Sequence, residues 1–181
     1  MGDLAFASYS SFFVLSTLYE TRSLEEFFSI GKPYIDFLEQ CKINFQRVFI
    51  EISAESADIR GAAKSLVYSA EKLKGGKVIS EELFVEKYVK ERSGLTLGVY
   101  NVVMMRTCYM LGEYERAYEL GKAAIEFISF IPGFHEEIDY LFYQSLVLLA
   151  LCQYRSKETI QTYLQTVKLH RNIWNFSFFL M

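Results

Sequence analysis

His135-Glu136-Glu137 opens as a zinc-protease helix does, with a histidine beside a glutamate that would serve as general base. That chemistry needs a second histidine four residues on, because only that step puts both imidazoles on one helix face. Asp139 stands there instead, so the metal face is missing and the glutamates read as acidity at a helix start. His170 has no cysteine or carboxylate at ligand spacing and reads as a partly buried histidine. Neither histidine carries the flanking motif of a histidine-kinase phosphoacceptor, and the ATP-binding glycine boxes are missing. The kinase strings for the catalytic loop and magnesium site are missing too. Gly75-Gly76-Lys77 imitates the end of a phosphate loop, yet the earlier glycine and the following Ser or Thr are lacking, so a turn is expected. Cys41, Cys108 and Cys152 lie far apart among apolar neighbours with no CxxC pair, which supports reduced buried thiols rather than zinc or disulfides. The expectation is no catalytic residue, no cofactor and no metal.

Composition narrows the partners. A net charge of −3 and the lack of a basic stretch interleaved with aromatics exclude a phosphate backbone as the natural ligand, so no nucleic acid is expected. The longest uncharged runs, 4–19 and 140–154, fall short of the roughly 18 to 20 apolar residues that span a bilayer. They read as buried helices, and no membrane insertion is expected. Asp3 stands where a secretion signal carries positive charge, which points to a cytoplasmic protein.

The elements that would position any site are helices. Half of the residues are apolar and only two are proline, which suits long helices and not a loop-rich β chain. A first helix is expected over about 3–21, apolar nearly all round. Ser23 and Glu26 then form a capping box that starts a second helix to about Cys41, with Pro33 kinking or restarting it. A third is expected over about 44–59. The stretch 60–79 reads as a weak connector. Ser80 caps a short helix with Glu81 and Glu82 in its first turn, and a helix over about 95–111 ends at Gly112. Tyr114, Ala117, Tyr118, Gly121, Ala124, Ile125 and Ile128 then step by three and four along the clearest amphipathic helix. A helix over about 134–152 is apolar enough on every face to be central. Its Tyr140, Phe142 and Tyr143 read as core, with an aromatic-lined ligand pocket as the alternative. Ser156 caps the last helix, which carries Tyr163, Val167 and His170.

The predicted fold is therefore all-α, with antiparallel helix pairs in a tetratricopeptide-like α-solenoid of about six to eight helices, forming one module over 1–181. LGEYERA at 111–117 carries the repeat signal. Gly112 and Tyr114 make the turn, and Ala117, Gly121 and Ala124 stand where helices approach closely. The match is partial: Asn101 replaces a large aromatic, Met104-Met105 replaces Leu-Gly, and Pro132 comes late. One divergent repeat among irregular neighbours is expected.

SLEEFF at 23–28, CYMLGEYERAYE at 108–119 and YLFYQSLVLLAL at 140–151, behind an opening Gly2-Asp3-Leu4 with Ala7 and Tyr9, resemble a larger pattern. They are similar to the helical region of bacterial, notably cyanobacterial, multidomain signalling proteins. Those proteins combine a serine/threonine kinase-like domain, an AAA-type ATPase, this helical segment, a sensory domain and a histidine kinase. The resemblance implies a non-catalytic scaffold that couples neighbouring domains of the parent chain or a signalling partner protein. It also implies a piece of a longer protein. The apolar end, 175–181, lacks the polar cap that a solenoid needs, so Trp174, Phe178 and Phe179 are expected to form an interface. Self-association through such apolar ends is a further mode of contact. The alternative function is a small-molecule sensor that encloses an apolar ligand among aromatic helices.

Overall fold

The computed structural model describes residues 2–45, 53–75 and 81–178. Among them the protein is all-α: eight α-helices with two short 3₁₀ segments and no strand. Contacts cluster into two compact units, Met1–Tyr100 and Asn101–Met181, and the division falls inside α5 (Gly94–Met110).

The first unit is built on α1 (Gly2–Thr21), α2 (Leu24–Phe45) and α3 (Ser53–Leu73), with α4 (Glu81–Lys90) and α5 up to Tyr100. Phe12, Leu15 and Tyr19 step along one face of α1 and are buried with Phe27 of α2 and Ile59, Ala62, Leu66 and Ala70 of α3. The turn into α2 forms both arms of the capping box: the Ser23 amide donates to Glu26 Oε2 at 3.2 Å and the Glu26 amide to Ser23 Oγ at 3.3 Å. Tyr19 and Ser69 join their hydroxyls across α1 and α3. Tyr68, Phe84, Tyr88 and Tyr100 close the unit with ring centroids 4.7 to 5.5 Å apart.

Two expectations need correction here. Pro33 does not restart a helix, since α2 runs through it to Phe45. The helix expected over 44–59 has its ends in α2 and α3, and 46–52 lie outside the described residues. The connector expected at 60–79 is helical as far as Leu73. Its apolar face is built of small residues, so it carries little hydrophobic contrast. Ala62, Ala63 and Ala70 are buried together with Ser65 and Ser69. Ser65 enters the core because its hydroxyl donates to the Gly61 carbonyl one turn back, at 2.9 Å. At Gly61 a Cβ would collide with Thr96 and stand 2.8 Å from the Tyr88 ring, so the absence of a side chain is what lets these helices meet. Gly75 turns with φ +79°, while Gly76, Lys77 and the expected cap Ser80 lie outside the described residues.

The second unit comprises α5 from Asn101 on, α6 (Tyr114–Ala124), α7 (His135–Leu151) and α8 (Lys157–Phe178). Gly112, at φ +77°, ends α5: its amide donates to the Tyr109 carbonyl at 3.0 Å and the Glu113 amide to the Cys108 carbonyl at 2.8 Å. This is the paired closure that a left-handed residue permits. The helix expected to reach Ile128 stops at Ala124, and a 3₁₀ turn (Ile128–Phe130) leads to the buried Ile131. Gly133 turns at φ +75°, and its amide donates to Glu137 Oε2 at 2.9 Å. The Ser156 hydroxyl accepts from the Thr159 amide at 3.3 Å and caps α8. Ala117, Gly121 and Ala124 are buried on α6 towards α7. A Cβ on Gly121 would strike the Gln144 carboxamide and come within 2.9 Å of Met105 Sδ. Tyr114 lies half-buried with its ring 5.7 Å from Tyr109.

Candidate docking groove on the last helix pair

The run 140–154 without a charge makes α7 apolar on more than one face, and its neighbours cover only part of it. Tyr140, Gln144, Val147, Leu148 and Leu151 are buried. Ile138, Phe142, Ser145 and Leu149, at steps of four, three and four, share another face, and the three apolar ones are 36%, 40% and 45% exposed. The expected central helix thus has one uncovered stripe. On α8, Tyr163 and His170 are buried, while Leu164, Val167 and Arg171 make a second stripe beside them.

Between the stripes lies a cavity of about 200 Å³ lined by Leu141, Phe142, Ser145 and Leu146 of α7 and by Val167, His170 and Arg171 of α8. Its serine and histidine are paired with each other and with the backbone of α7. The Ser145 hydroxyl donates to the Leu141 carbonyl at 2.7 Å, which leaves its oxygen to accept from His170 Nδ1 at 3.0 Å. The imidazole tautomer is assigned from that network. Burial holds His170 below the usual histidine range, partly offset by a hydrogen bond to the Leu141 carbonyl. The Tyr140 ring stands 5.9 Å from the imidazole, and burial pushes its phenol above the ordinary range. Ser145 and His170 face one another, but the serine proton points back into α7. The geometry serves to position the two side chains and does not make a base poised against a nucleophile.

Three cations of this unit, Arg106, Lys122 and Arg155, have acidic partners. Arg106 Nη1 donates to Asp139 Oδ2 at 3.1 Å, and Arg155 Nη2 reaches both Glu115 oxygens at 2.6 and 2.7 Å. Arg171, on the groove wall, makes no hydrogen bond or ion pair with the described residues, and neither does Lys168 one turn away on α8. α7 carries no carboxylate after Asp139 and α8 none after Glu158. The groove is therefore apolar along its floor and basic at one end.

The residues singled out in the sequence do not converge on one site. His135 starts α7 exposed, Glu136 beside it is buried, Glu137 bonds the turn, and Asp139 pairs with Arg106. Cys108 is buried; the Cys152 thiol, half-buried, donates to the Leu148 carbonyl at 3.3 Å. No group of three metal-ligating side chains forms among the described residues. The Cys41, Trp174 and Phe178 side chains and all of Phe179 lie outside what the structure describes. Sequence reasoning placed Phe142 in the core, with a ligand pocket as the alternative, did not foresee that Phe142 and Leu149 are exposed, and passed over Leu164 and Arg171. The signal for Phe142 and Leu149 was an uncharged run too long for a helix with one buried face. Comparison with family models, with curated proteins and with solved structures finds no match, so the groove is judged on its own geometry.

Proposed function

We propose that this chain is a non-catalytic, tetratricopeptide-like helical module that holds a helix of another protein, or of a neighbouring domain, in the groove between α7 and α8. The observation that carries the reading is the pair of apolar stripes, Ile138, Phe142 and Leu149 opposite Leu164 and Val167, uncovered at helical spacing. Helix pairs bury such stripes only against a further helix, and an amphipathic helix meets them with anchors at the same three-four steps. The resemblance to helical regions of multidomain kinase and ATPase proteins supports a coupling role inside a signalling protein. The test is to pan a display library of amphipathic helices against the folded chain. Clones whose capture is lost on Phe142→Asp support the reading, and clones that bind wild type and variant alike sink it.

The cavity beside His170 and Ser145 supports a second reading, an apolar small molecule held between the helices. Native mass spectrometry of the purified chain would then show a bound compound that Leu146→Trp displaces. A spectrum with bare protein alone removes this alternative.

A further inference from the structure

Resting on the docking reading above, we infer that the occupant is an amphipathic helix of a partner protein bearing a carboxylate beside its apolar face, placed to meet Arg171 and, one turn away, Lys168. The groove floor is apolar, so it contributes affinity but little discrimination. The discriminating element is the basic end. Arg171 lines the cavity and, with Lys168, has no acidic partner among the described residues, whereas Arg106, Lys122 and Arg155 of the same unit each have one. Arg171 is exposed where it lines the apolar wall, and its guanidinium offers a forked donor that a carboxylate fits. A neutral or basic helix would leave it unpaired. A second copy of this chain fits poorly: a symmetric pairing would set the groove against itself, and neither α7 beyond Asp139 nor α8 beyond Glu158 supplies a carboxylate.

The library described above answers this when its apolar positions are fixed and its flanking positions are randomised among Glu, Gln and Lys. On wild type, Glu is enriched at the flank that faces α8. On Arg171→Glu the preference turns to Lys, and the wild-type clones lose at least about tenfold in affinity. Binding of the acidic clones also weakens as salt rises. Arg171→Gln is a second bait that keeps side-chain bulk and removes the charge; it abolishes the enrichment. If clones depend on Phe142 yet show the same flank composition on all baits, docking stands and the acidic preference is overturned. Where no clone depends on Phe142, both fall together. Two other outcomes also overturn the inference. One is sedimentation of wild type, but not Arg171→Glu, with phosphatidylserine vesicles in the absence of helix capture. The other is a dimer in sedimentation velocity that Phe142→Asp dissolves.

Discussion

His170 shows how much one side chain can report on packing. Its ring lies buried against Tyr140, with Nδ1 on Ser145, and desolvation keeps its folded pKa below that of the unfolded chain, about 6.5. Between the two values the unfolded state binds more protons, so stability is fully present above about pH 6.5 and is lost as pH falls from there towards the folded pKa. Urea midpoints at pH 7.5 and 5.5 are expected to fall for wild type and to fall less for His170→Gln. Equal drops would show that His170 is not the group responsible. Gly121 and Gln144 make a second residue-scale case. Gln144 is 6% exposed, and its Oε1 has no hydrogen-bond partner. Gly121→Ala is expected to destabilise by about 1–3 kcal/mol through overpacking, which exceeds the ~0.5–1 kcal/mol that alanine contributes in a helix. In a double-mutant cycle Gln144→Ala recovers much of that loss, and strict additivity would count against the contact.

Two turns of the same design make the comparison at the level of elements. After α4 the Arg92 amide donates to the Val89 carbonyl at 3.1 Å and the Ser93 amide to the Tyr88 carbonyl at 3.0 Å, the closure that Gly112 makes after α5. Arg92 adopts φ +52°, where a side chain crowds the following carbonyl and costs roughly 1–2 kcal/mol. Arg92→Gly is therefore expected to stabilise the chain by about 1 kcal/mol, net of the extra freedom glycine gives the unfolded state. Gly112→Ala is expected to destabilise it by a similar amount. Chemical denaturation at neutral pH reads both, and a loss of stability in Arg92→Gly would mean that the arginine side chain makes a compensating contact. Such turns were legible at Gly112, where residue type announces the conformation. Arg92 gives no such signal, since its left-handed backbone is imposed by the buried helices that it joins.

Across the whole chain the structure resolves into two compact units, and the second carries the uncovered apolar face. Phe142→Asp with Leu149→Asp replaces two side chains that are roughly half in water. The double variant is expected to cost about 1 kcal/mol or less in stability while abolishing helix capture. A cooperative collapse of its melting transition would instead place these residues in the core.

Taken alone, the sequence determined the all-α class, because hydrophobic steps of three and four, capping signals at Ser23 and Ser156 and the scarcity of proline are local properties of the chain. It also determined the close-packed stripe Ala117, Gly121 and Ala124, since small residues at helical spacing admit a neighbour. Tertiary structure decided what depends on partners. Small buried residues in 60–73 looked like a connector until α1 and the start of α5 were there to bury them. Nor can an apolar residue announce from its type whether a neighbour covers it. Leu148 and Leu149 stand side by side in one leucine-rich run, yet the first is buried and the second is half in water. That difference is set by which helices pack on α7, and it is what turns the run from a core helix into one wall of a groove.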